Sequence, residues 1–124
     1  MKVLTVALLS VIALGLVFSF AVAAGDAAKG KALFHDPKLG GGTTGKSCNS
    51  CHPGGKGLEK AGSKKEFNFM GMKQNSLEEV VNLCIIEPLK GKAIDPKGAD
   101  MANIVAYIKS LSEKPEAPKK APGY

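Results

Sequence analysis

The stretch that decides the fold is Cys48-Asn49-Ser50-Cys51-His52. Two thiols three positions apart with an imidazole directly after them form C-x-x-C-H, the attachment pattern of a c-type haem. The spacing has a physical reason. The two sulfurs reach two vinyl groups on one edge of a porphyrin, and the adjacent imidazole swings beneath the iron as an axial ligand. Three other readings compete. A Cys48–Cys51 disulfide strands the third cysteine, Cys84. A redox dithiol calls for a βαβ frame, which the sequence does not offer. A zinc site needs two further ligands, and only Cys84 and His35 are available, at no recognised spacing.

Outward from the motif, the chain supports the haem reading. Its 124 residues allow one small domain, with 44% hydrophobic and 6% aromatic residues and no Trp. Such a chain is short of buried surface, and domains of this size often recruit a metal, disulfide or cofactor. Met1-Lys2 followed by the apolar run Val3–Ala24 reads as a signal peptide over 1–24, with Ala21-Val22-Ala23-Ala24 as its small-residue end. The rival is an uncleaved anchor, since the run is long enough to span a bilayer. Either way the folded part is expected outside the cytoplasm, in the periplasm if cleaved and with no membrane span remaining. Residues 113–124, with three Pro and three Lys, read as a disordered tail.

Between these ends the sequence predicts short helices and loops. Asp26 can cap a helix to about Phe34, stopped by His35-Asp36-Pro37. Residues 38–47 and 53–62 are Gly-rich loops. Phe67-Asn68-Phe69-Met70-Gly71-Met72 alternates like a strand but is read as a loop laying apolar side chains on the porphyrin, so no sheet is expected. Ser76-Leu77-Glu78-Glu79 is a capping box opening a helix whose apolar face is Leu77, Val80, Val81, Cys84 and Ile85. Asp100 is expected to cap a last helix with Met101, Ile104, Val105, Ile108 and Leu111 on its buried stripe.

This order of motifs resembles the class I c-type cytochromes over nearly all of residues 25–112. The resemblance rests on Gly25-Asp26-Ala27-Ala28-Lys29-Gly30-Lys31-Ala32-Leu33-Phe34, the haem motif, and the final Asp100–Leu111 segment. It implies an all-α, cytochrome c-like fold wrapped around one covalently bound haem c, held by Cys48 and Cys51 with His52 as proximal iron ligand. It also implies a crossing of the first and last helices at Gly30, Phe34 and Tyr107. Members of that class usually place a Met before a Pro in the loop preceding the last helix, where this chain has Asp95-Pro96. They also carry a Pro whose carbonyl holds the haem imidazole; Lys64 stands near that position, so the acceptor for His52 is left open.

The sixth iron ligand therefore has several candidates. Cys84 comes first: Val81-Asn82-Leu83-Cys84, Leu89-Lys90-Gly91-Lys92 and Asp100-Met101 are similar to the haem domains of thiosulfate dehydrogenases and related sulfur-oxidation cytochromes, where the matching cysteine is an axial ligand. The plainer reading is a buried thiol acting as a small hydrophobe. Met101 follows, then Met70 or Met72 in a bendable loop, and last His35, on the far side by analogy.

All 17 basic residues are Lys, giving a formal charge of +6. Lys29, Lys31, Lys38, Lys46, Lys56, Lys60, Lys64 and Lys65 crowd both sides of the motif. They would steer redox partners with acidic docking surfaces, or simply solvate the chain. Nucleic-acid binding is disfavoured by the lack of Arg. The expected function is that of a monomeric one-electron carrier without enzymatic activity. The alternative is the haem subunit of a thiosulfate-type oxidising enzyme with an axial cysteine, and a gas sensor with an open sixth site comes third.

Overall fold

The computed structural model describes residues 24–113. The expectations for the signal peptide and for the tail beyond residue 113 lie outside the described residues. Four helices carry the architecture: α1 (Ala27–His35), α2 (Cys48–Cys51), α3 (Leu77–Ile86) and α4 (Ala99–Ser110), linked by loops and single 3-10 turns.

Helix α1 starts where the sequence says it should. The Asp26 carboxylate accepts from the amides of Ala28 and Lys29 at 2.8 and 3.1 Å, satisfying two otherwise orphaned donors. It packs across α4 at Gly30, where an added Cβ would lie only 1.9 Å from the Asn103 carbonyl oxygen. Only a residue without a side chain allows the two backbones this close. Phe34 and Tyr107 meet edge-on beside the crossing, with ring centroids 5.1 Å apart, a geometry that aromatic quadrupoles favour. Asn103 adds a tie across the pair, its side-chain oxygen accepting from the Asp26 amide at 2.7 Å.

Helix α4 buries Met101, Ile104, Val105, Tyr107 and Ile108, and Leu111 continues the stripe beyond its end. Its N-cap is Gly98; Asp100 sits inside the first turn, which corrects the expected start. An acidic residue there still complements the positive end of the helix dipole. At α3, the Ser76 hydroxyl accepts from the Glu79 amide at 3.2 Å, as the capping box predicts. Its reciprocal half is shifted, with the Glu79 carboxylate accepting from the amide of Asn75 at 2.9 Å.

A second correction concerns residues 67–74. They form a two-stranded antiparallel hairpin, β1 (Phe67–Phe69) with β2 (Met72–Gln74), in which Phe67 pairs Gln74 and Phe69 pairs Met72. The alternation of apolar residues was therefore a strand signal after all. The turn residues Met70 and Gly71 both have positive φ, 50° and 80°, as a type I′ hairpin requires. The fold remains that of a mostly helical, cytochrome c-like domain.

Candidate haem site

One turn of helix sets out the motif. The His52 amide donates to the Cys48 carbonyl at 3.0 Å, closing α2 so that Cys48 and Cys51 share a face. The turn is braced at its start, where the Ser47 amide donates to Ser50 Oγ at 3.0 Å, and behind it, where the Gly54 amide donates to Asn49 Oδ1 at 2.8 Å.

Cys48, Cys51 and His52 form one wall of an apolar cleft. Leu77, Val80, Val81 and Cys84 of α3 and Ile104 and Ile108 of α4 line it too, with Phe34, Ser47, Leu58, Phe69, Pro88 and Leu89. The cleft has a volume of about 290 Å³. That is at the lower edge of small-molecule and cofactor sites, which run from roughly 300 to 1,000 Å³. No disulfide joins any two of Cys48, Cys51 and Cys84.

The acceptor that the sequence left open is the Lys56 carbonyl, 3.1 Å from His52 Nδ1. A carbonyl oxygen can only accept, so Nδ1 carries the proton and Nε2 keeps its lone pair for a metal. The carbonyl is delivered by a tight turn over Pro53–Gly57, with φ of 62°, 84° and 87° at Gly54, Gly55 and Gly57. These glycines, and not a proline further along, are the signal by which sequence alone could have found it. The N–H of the same peptide, that of Gly57, donates to Glu59 Oε1 at 3.1 Å. Hydrogen bonds from the amides of Glu59 and Gly57 hold the Glu59 carboxyl below its usual range.

The candidates for the sixth position fall in different places. Cys84 lines the cleft. Burial first, then the neighbouring Cys48 and Cys51, push its thiol up to about 11; burial likewise lifts Cys48 to about 11. Met101 is 1% exposed in the core and does not line the cleft. Met70 and Met72, at the hairpin tip, are 73% and 50% exposed and stay outside it. His35 is exposed, its Nδ1 bound to the Lys31 carbonyl at 2.8 Å. Cys84 is thus the one candidate among these whose sulfur shares the cleft with His52.

The segments that flank Pro88 and Leu89 are stitched together. Lys92 N–H donates to the Gly40 carbonyl at 2.7 Å and Thr43 N–H to that of Leu89 at 2.9 Å. Asn82 clasps Ile94 from both sides, donating to its carbonyl at 3.0 Å and accepting from its amide at 2.9 Å. Pro88 and Leu89 are thereby held as part of the apolar lining.

The donor set fits a covalently bound haem: paired thiols on one helical turn, an imidazole with its outer nitrogen fixed, and an apolar slot beside them. Fold and site together define a c-type cytochrome domain. The profile of the SoxA/TsdA cytochrome c domain matches residues 29–116, and the chain belongs to that family. Comparison with curated proteins and with solved structures gives no significant match.

Proposed function

We propose that the chain is a monohaem electron carrier acting outside the cytoplasm, with Cys48 and Cys51 as the covalent anchors, His52 as proximal ligand and Cys84 as distal ligand. The observation that carries this is the presence of His52 and Cys84 in one apolar cleft with the paired thiols. When bound, the haem supplies an iron that cycles between two oxidation states. The chain's own residues set the terms of that cycle. His52 presents Nε2 because Lys56 fixes the proton on Nδ1. The aliphatic walls exclude water and lower the local dielectric, which strengthens every charge interaction inside. Cys84 Sγ keeps its proton at neutral pH unless a cation lies against it, because burial opposes the anion. An anionic sulfur ligand favours the oxidised metal, so the potential lies below that of thioether-ligated relatives.

An exported location is supported by the apolar N-terminal run and by the habits of covalent haem attachment. The lysine-rich surface supports acidic redox proteins as partners of a monomer. Among the described residues the cleft is lined by no carboxylate, which is in keeping with a carrier without enzymatic activity. The family match favours a second reading, a haem subunit in sulfur-compound oxidation. Redox titration of the purified haem protein tests the first. C84M is expected to raise the midpoint potential and C84A to open the iron to carbon monoxide; an unchanged potential and spectrum in both would remove Cys84 from the iron. Rapid reduction of the wild type by thiosulfate alone would favour the second reading.

A further inference from the structure

The peptide unit joining Lys56 to Gly57 is engaged on both sides. Its carbonyl accepts from His52 Nδ1 at 3.1 Å, and its N–H donates to the Glu59 carboxylate at 3.1 Å. We propose that Glu59 is a positioning residue for the proximal histidine, acting through this peptide on the strength and direction of the hydrogen bond at Nδ1.

The argument is one of hydrogen-bond chains. When an amide N–H donates to an anion, electron density shifts through the peptide toward its carbonyl oxygen, which becomes the better acceptor. Such cooperativity is on the order of 10–30% per bond, and charge-assisted links are the stronger kind. The chain Glu59 carboxylate, Gly57 N–H, Lys56 C=O and His52 Nδ1–H therefore makes the imidazole more electron-rich at Nε2. Partners of this kind orient a ligand and raise its basicity. The carboxylate also has a geometric effect. Gly57 stands at a φ of 87°, a conformation open to many alternatives in a glycine. The carboxylate, two residues on, selects the rotation that turns the Lys56 oxygen toward the ring. An added Cβ at Gly57 would meet Nδ1 at 3.8 Å, an ordinary contact. Steric blocking of the ring is therefore not the reason for glycine here. Glu59 is exposed, so its direct field at the cleft is screened by salt, whereas the bonded path is not.

The inference rests on His52 ligating the iron, and the test separates the two. E59Q retains an oxygen acceptor for Gly57 N–H without the charge, and E59A removes both. In the purified ferric haem protein at 0.5–1 M salt (a Debye length of about 3–4 Å), the hyperfine-shifted His52 Nδ1 proton is followed by NMR alongside the midpoint potential. Expected are a changed Nδ1–H position and a higher potential in E59Q. In E59A these shifts should be larger, with Nδ1–H exchange several-fold faster. Thermal stability should stay near wild type in E59Q. Wild-type proton position, exchange and potential in both variants would overturn the proposal. So would a wild-type E59Q beside a shifted E59A, because geometry without charge would then suffice. Absence of His52 ring signals in every form, wild type included, would instead overturn the assignment of His52.

Discussion

At position 70 a methionine occupies left-handed backbone with a φ of 50° and exposes 73% of its surface. That conformation costs a side-chain-bearing residue about 1 kcal/mol or more, less for Asn, whose short polar group tolerates it. M70N converts the turn to Asn-Gly, the preferred type I′ pair. It is expected to stabilise the haem protein by about 0.5–1 kcal/mol, read by denaturant titration, and to leave the haem spectrum untouched. A changed spectrum would return Met70 to the list of iron ligands. Cys48, Cys51 and His52 are legible at this same scale. Their chemistry depends on spacing within one helical turn, and no distant contact is needed to see it. The His52 acceptor is different. A main-chain carbonyl has no letter of its own, and only the turn of glycines behind the motif hints that Lys56 comes back to meet the ring.

Among the elements, the α1–α4 crossing has the least tolerance. Gly30 faces the Asn103 carbonyl at a distance that no Cβ can occupy, and Tyr107 Cβ would be 2.9 Å away. G30A should force the helices apart and destabilise the haem protein by about 3 kcal/mol, at the upper end for overpacking. Thermal unfolding followed at the haem band checks it, and a loss under about 0.5 kcal/mol would mean that α1 can slide without consequence. Helix α1 is legible in its cap and α4 in its apolar spacing. The hairpin is not legible in the sequence, because a three-residue strand pair carries the same alternation as a loop whose apolar side chains face one surface. Pairing between Phe67–Phe69 and Met72–Gln74 is what distinguishes them. The start of α4 lies two residues before the expected Asp100 cap, because Gly98 caps with extended backbone and no side-chain bond.

On the scale of the molecule, charge is the dominant surface feature: 17 basic against 11 acidic residues. Long flexible lysines give a diffuse field, not a fixed grip. Oxidation of the ferrous protein by an anion such as ferricyanide should slow by severalfold or more between 10 mM and 0.5 M salt, as the Debye length falls from about 30 Å to under 5 Å. A cationic oxidant should show the opposite trend under stopped flow. Rates independent of salt for both reagents would reduce the lysines to solubilising groups.

The haem motif, the caps of α1 and α3, the apolar stripes of α3 and α4 and the lysine content are local or periodic properties, and the sequence by itself determined them. Which sulfur shares the cleft with His52 is a matter of how far apart in space residues 52, 70, 84 and 101 come to rest. Met101 and Cys84 sit on equally apolar helical faces, and nothing in their spacing ranks them. Only the packing of α3 and α4 decides it, turning Cys84 into the cleft while Met101 is consumed by the core. The same holds for the Lys56–Gly57 peptide, because a turn's direction is set by the side chains that receive its N–H and C=O groups.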